Sequence, residues 1–506
     1  MSGQSVESGP APAALERAAA HGLGYSGIRF AVERIVGFAA TLLLARLLAP
    51  DQFGVSAFAL AVMYYFDAAT DLGLGAALVY RSDANEHRVA STAFWLGLGG
   101  ACVLAAALWF VAPLVASLGP DGEAVWLLRV LSLQFPLSAL GKVHEYRLRA
   151  RLDFRKLVGP FAFATCSKGV VAVVAAAAGA GVWSLVIGQL VGTLVRSVVL
   201  WRADTWHPRA MFSGAASKGL LKYGSGIVAV GVLGQAAKNF DYLVVGGKLG
   251  AAALGFYFLA FRLPELVVLG MFQVANEVLF PFYARLKDAA GADRDEELRR
   301  GYVRSVRLAA AVSLPAGLGM AALATPIVLV LYGSEWRPAA APLAFVAIWA
   351  ALASLAALPG AVFKATGRSW LLTSTGLAQI AILFPLILLA ANHGITAVAA
   401  AQVIEKTISL AMLGVFVGRV LSIPWYTTFT TAAPLFALSS VMAACIAGLA
   451  LLVGPPVALV AGIPAGAVIY ALLLRRFAPD VYSALAGPVR ALGRSRLVGS
   501  RSARIS

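Results

Sequence analysis

Two carboxylates, Asp67 and Asp71, stand one helical turn apart inside the apolar stretch "YYFDAATDLGLGAALVYR", Tyr64 to Arg81. On a helix they share a face and repel, so a basic group from another segment, a shared proton or a bound cation has to offset them. From the sequence alone Arg34 or Arg29 is the most economical basic partner. Arg29 and Glu33, Lys238 and Asp241, and Arg262 and Glu265 are also three or four positions apart in apolar surroundings, with Arg34 and Glu277 nearby. Charges at such positions face a bundle interior or a hydrated cavity, and two uses fit the opposite-sign pairs. They are local salt bridges that let a charge sit in the membrane, or they are groups that hold a charged cargo.

The elements that must position these groups are membrane helices. Of 506 residues 60% are hydrophobic and 13% charged, and the mean hydropathy of +0.82 leaves too little polar surface for a water-soluble chain. A span needs about 20 apolar residues. Cutting the chain at its polar and Gly/Pro punctuation gives about fourteen such spans, at 24–46, 53–79, 91–116, 124–147, 157–178, 182–201, 220–247, 253–283, 303–332, 339–363, 370–390, 395–418, 428–453 and 456–474. The charges named above lie in the first, second, seventh and eighth of these.

Charge in the links tests that count independently. Alternate links ("RSDANEHR", "RLRARLDFRK", "RADTWHPR", "RLKDAAGADRDEELRRGYVR", "KATGR") and the tail are rich in Lys and Arg, whereas the others hold only Arg337. The positive-inside rule then places the basic links and both termini in the cytoplasm. Met1 to Ala20 lacks the basic region and apolar core of a cleavable signal. The net charge of +17 is spread over these links, not gathered on one face, so nucleic acid is not an expected partner.

The chain also repeats itself. Residues 151–191 lie over 364–404 without a gap, matching Gly181 to Gly394 and Gln189 to Gln402, and "ARLLAPDQFGVSAFALA" lies over "GGKLGAAALGFYFLAFR", matching Gly54 to Gly255. Paired segments start on the same membrane side, so the repeat is parallel, with an axis along the membrane normal. The expected organisation is a cytoplasmic segment at 1–20, a six-span lobe at 21–202, a cytoplasmic link at 203–219 that is the natural hinge or an ordinary loop, a second six-span lobe at 220–419, two further spans within 428–475 and a basic cytoplasmic tail at 476–506. Charge thus marks the first two spans of each lobe, the elements that would line a central cleft.

Motifs for catalysis or metal binding are missing. "DLGLGAAL" has no strand before it, "HEYR" at His144 to Arg147 lacks the second histidine of a metalloprotease helix, and the five histidines are scattered. Cys102, Cys166 and Cys445 read as small packing residues. The non-basic links are about ten residues at most, too short to carry the catalytic groups of a membrane glycosyltransferase or polymerase. The chain reads as a non-enzyme without a cofactor.

The phrases "ARLLAPDQFG", "ATDLGLGAALVYR", "NFDYLVVGGKLGAAALGFYFLAFRLPE", "VLFPFYARLKD" and "VLYGSEWRPAAAPL" resemble the polysaccharide-transporter branch, with its Wzx-type O-antigen and exopolysaccharide flippases, of the multidrug/oligosaccharidyl-lipid/polysaccharide exporter superfamily. The similarity covers about residues 20 to 475. It implies an all-α fold with two pseudo-symmetric lobes forming a V around a central cavity, in the bacterial inner membrane, flipping undecaprenyl-diphosphate-linked oligosaccharide by alternating access. It further implies that Arg29 and Arg34, and by location Lys238 and Arg262, hold the diphosphate, in a cavity opening sideways between the first and eighth spans. Asp71 and Asp241 match acidic positions of family phrases. Glu33 and Asp67 match none; these two, Asp71, Asp241 and Glu265 are expected to pair with the cations, or Asp67 and Asp71 to take up a coupling proton or sodium ion. Expected partners are membrane lipids and polymerase and export components of the same pathway. A cation-coupled multidrug exporter of the same fold is the alternative, and it predicts a cavity rich in acids and aromatics instead.

Overall fold

A computed structural model describes residues 27, 32–70, 86–119, 123–151, 153–270, 279, 283 and 294–486. Every regular element among them is helical, as lipid requires of a chain that has no water to satisfy its backbone. In order these are α1 (32–47), α2 (Pro50–Thr70), α3 (Glu86–Ala116), α4 (Ala124–Ser132), α5 (Gln134–Ala150), α6 (Phe154–Ala177), α7 (Trp183–Ala203), α8 (Gly214–Leu249) and α9 (Ala251–Pro264), which continues as a π-helical turn, Glu265–Leu269. There follow α10 (Arg294–Ala322), α11 (Ala324–Leu331), α12 (Ala340–Ala356), α13 (Leu358–Ala365), α14 (Trp370–Ala390), α15 (Ile395–Leu421), α16 (Thr427–Leu452), α17 (Pro455–Phe477) and α18 (479–486).

Among the described residues 11 helical stretches are long and apolar enough to cross a membrane. They fall on 11 of the expected spans; the remaining three, at 24–46, 53–79 and 220–247, coincide with α1, α2 and α8, parts of which lie outside the described residues or side chains. The proteins' usual helix breakers are tolerated here, with Pro113, Pro160, Pro315, Pro385, Pro434 and Pro464 inside helices, where neighbouring helices re-satisfy freed carbonyls.

Two compact units divide the chain, Met1–Gly255 and Phe256–Ser506. In the first, α6 packs along α7, α5 along α7, and α2 along α8. In the second, α10 packs on α12 and α16, and α15 on α12 and α14. The aligned repeat shows in local detail. Gly181 and Gly394 both take positive φ, 53° and 93°, a conformation that suits a residue without Cβ, and each precedes the start of a helix, α7 or α15. Gln189 and Gln402 each donate a side-chain hydrogen bond to another helix, to Gln134 Oε1 at 3.1 Å and to the Tyr257 hydroxyl at 2.9 Å.

The other aligned pair meets itself. A Cβ on Gly54 would lie 1.7 Å from the Ala251 carbonyl oxygen, and one on Gly255 would lie 1.9 Å from the Pro50 carbonyl oxygen. The repeat carries Pro50 onto Ala251, 201 positions on, just as it carries Gly54 onto Gly255. The contact is therefore reciprocal: the first turns of α2 and α9 cross backbone to backbone, each glycine under the other's carbonyl. Small residues at crossings of this kind let membrane helices approach closely.

Candidate functional site

In the first unit the expected charged residues, with the Lys142 that joins them, come from α1, α2, α5 and α8. Glu33 and Arg34 are half-buried on α1. Asp67, on the last turns of α2, has its Oδ1 3.9 Å from Lys142 Nζ of α5. The offset that its carboxylate requires is thus met in part by a cation from another helix, one that the sequence reading passed over in favour of the arginines. Both side chains are partly exposed, 43% for Asp67 and 19% for Lys142, at a separation of 3.9 Å, so the pair is loose and its net contribution is small, under about 1 kcal/mol.

On α8 the two charges part ways. Asp241 is buried and accepts the Tyr242 backbone N–H at 2.9 Å. Lys238, one turn earlier, is exposed and makes no ion pair among the described residues. Glu33, Arg34, Asp67 and Asp241 all have polar or electrostatic partners beyond these.

In the second unit Arg262 lies at the end of α9. Its guanidinium stacks 4.1 Å from the Phe258 ring centroid, a cation–π contact that orients the planar fork. Its Nη1 is 3.8 Å from Glu265 Oε2, a loose pair, and its Nε is buried without a hydrogen-bond partner. The π-helical turn starts at Glu265, directly after Pro264. Such turns widen a helix, leave a carbonyl without its usual partner and occur often at functional sites. Of the remaining expected residues, Arg29, Asp71 and Glu277 lie outside the described residues.

A second charged group, absent from the sequence expectations, fixes the link after α7. Asp204, 3% exposed, accepts from Arg147 Nε at 2.9 Å, with His144 Nδ1 at 3.4 Å and Arg151 Nη1 at 3.8 Å. The Arg147 guanidinium lies 5.3 Å from the centroid of Trp206, and His144, fully buried, stands between Trp201 and Trp206. The link then runs across the start of α3: Trp95 Nε1 donates to the Arg209 carbonyl at 2.9 Å, and the Arg209 and Ser213 amides donate to Ser91 Oγ and Thr92 Oγ1, both at 3.2 Å. "HEYR" and "ADTWHPR" carry this cluster, and its one sequence signal is the unusual mixture of aromatic and charged residues at the end of a span.

Residues 43–341 match the family model described as polysaccharide biosynthesis protein. Similar curated proteins are the teichuronic acid biosynthesis protein TuaB of Bacillus subtilis (strain 168), 28% identical over 59% of this chain and 61% of TuaB, and the succinoglycan biosynthesis transport protein ExoT of Rhizobium meliloti (strain 1021), 32% identical over 59% of each chain. The matched stretch spans about three fifths of each relative. Among solved structures, the lipid II flippase MurJ in its inward closed conformation superposes with a TM-score of 0.72 over 90% of this chain and 99% of MurJ, at 16% identity. That last likeness is one of fold.

Proposed function

This multi-pass membrane chain belongs to the polysaccharide biosynthesis protein family, and from that premise we propose that it moves a polyprenyl-diphosphate-linked oligosaccharide repeat unit across the cytoplasmic membrane by alternating access. The observation that carries the reading furthest is the state of the two cations outside α1. Lys238 is exposed with no ion pair among the described residues, and Arg262 holds an unspent buried donor and a loose carboxylate partner. Ammonium and guanidinium groups with open donors replace the water and counterions that a diphosphate loses on leaving the headgroup layer.

Asp241 and Glu265, three residues from these cations, keep the local charge close to balanced. A site that held the diphosphate with uncompensated arginines would bind well and release slowly, whereas a carrier has to do both. Glu265, 3.8 Å from the Arg262 guanidinium, lies close enough to take that cation back once the diphosphate leaves. The partly exposed Asp67, beside Lys142, is the group we assign to a coupling proton or sodium ion, with Asp71 its neighbour in sequence. The polyprenyl tail stays in lipid throughout, and polymerase and export components of the same pathway would receive the delivered unit.

Genetic complementation tests the assignment. In a strain lacking this gene, Arg262→Ala and Lys238→Ala, expressed and inserted normally, are each expected to lower surface polysaccharide about tenfold or more, the loss expected for one charge-assisted hydrogen bond of ~1.5–3 kcal/mol. Arg262→Lys is expected to restore part of the loss, since charge survives and the fork does not. Full complementation by both alanine variants contradicts the role given to these cations.

A further inference from the structure

The second unit has a cavity of about 780 Å³ well away in sequence from the charges just described, walled by the first turns of α10 and by α18. Its rim is basic. Arg300, Arg304 and Arg307 recur at helical spacing on α10, with Arg299 beside them. Two carboxylates also line it, and the ion pairs show how far they go. Glu296 is shared between Arg299, at 3.6 Å, and Arg300, at 2.9 Å, and Asp480 of α18 pairs with Arg307. Arg304 is exposed and has no ion pair among the described residues. Four guanidiniums against two carboxylates leave a surplus of two positive charges at the rim.

Beneath that rim the lining is apolar: Val303, Leu308, Ile423 and Val481. The site also lies at one end of two membrane-length helices, since α10 begins its span at Asp295 and α17 ends at Phe477, immediately before α18. A cationic rim over an apolar floor at the end of membrane helices suits an amphiphile whose phosphate sits at headgroup level. A volume within the ~300–1,000 Å³ range of small-molecule pockets takes a headgroup and the start of the chains, not a whole diacyl lipid. We infer that this groove binds an anionic phospholipid, with the phosphodiester on Arg300 and Arg304 and the glyceryl and acyl stems over Val303 and Val481. By the charge of the links this is the cytoplasmic leaflet. Lipid bound there braces α18 against α10 through the Arg307–Asp480 pair, tying the end of the membrane domain to the leaflet's charge.

The test uses the full chain in detergent and native mass spectrometry, with phosphatidylglycerol, phosphatidylcholine and inorganic phosphate as probes. Wild type is expected to retain phosphatidylglycerol in preference to phosphatidylcholine, and excess inorganic phosphate to leave that retention unchanged because it offers nothing to the apolar floor. R300Q/R304Q, both exposed positions, is expected to fold normally and to bind phosphatidylglycerol about twenty-five-fold more weakly, from about fivefold per arginine near a membrane surface. Arg337→Gln, an exposed arginine elsewhere in this unit, is expected to bind as wild type does. Equal retention of the two lipids, displacement by inorganic phosphate, an R300Q/R304Q chain that binds as wild type does, or an equal loss in Arg337→Gln overturns the inference. None of these outcomes bears on transport of the oligosaccharide, so the two readings fail separately.

Discussion

Asp204→Ala will cost the folded chain about 3–5 kcal/mol, the penalty for leaving a buried partner charge uncompensated. Arg147, 8% exposed with its guanidinium over Trp206, is left with a buried charge. His144 and Arg151 lose the same carboxylate. Set against a typical stability of about 5–15 kcal/mol, the loss removes a large part of the folding free energy. The expected readout is a large drop in the melting temperature of the detergent-solubilised protein and a fall in its monodisperse fraction. Arg147→Met/Asp204→Leu is expected to recover most of the stability, because an apolar pair of similar volume leaves no buried charge behind. An Asp204→Ala protein that melts with wild type shows that water already reaches the cluster and that the link after α7 is held by its backbone hydrogen bonds alone.

Gly54→Ala and Gly255→Ala will each lower transport by an order of magnitude or more, and by similar factors. A methyl at either site meets a carbonyl oxygen at less than 2 Å, at 1.7 Å and 1.9 Å respectively. No side chain is there to swing aside, so the first turns of α2 and α9 must separate. Overpacking of this kind costs about 1–3 kcal/mol, and each ~1.4 kcal/mol is a factor of ten in the population of the crossed state. Under the alternating-access reading proposed above, the crossing has to form and to break, so a chain unable to close it stalls. Because both methyls push apart the same pair of helices, the double variant is expected to fall well short of the product of the singles. Transport by the singles at wild-type rate, at normal expression, removes the crossing from the cycle.

Much of this architecture was legible because lipid makes the code simple. Apolar runs of about 20 residues and the basic links between them gave spans that the helices follow. Gly181, Gly394, Gly54 and Gly255 stood out as punctuation in the repeat, and each proved to sit at a turn or a crossing that needs it. Partnership was less legible. Asp67 demanded a cation from another helix, but Lys142 is 75 positions further on, and only packing says which helix faces α2. The Asp204 cluster stayed hidden because the aromatic and charged mixture of "RADTWHPR" does not tell which of its charges is buried or against which helix. Its acid is buried against Arg147 and His144 of α5, where Trp201 and Trp206 also pack. The arginines of α10 were readable as a topology signal and nothing more until α18 supplied the other wall.

The most direct test of the transport reading is translocation in vesicles. The purified chain, reconstituted with a fluorescent polyprenyl-diphosphate oligosaccharide in one leaflet, is expected to move the label to the other, and Lys238→Ala/Arg262→Ala to slow that movement at equal incorporation. Label that stays in place in the presence of folded protein, while a cationic dye crosses the same vesicles, contradicts the account.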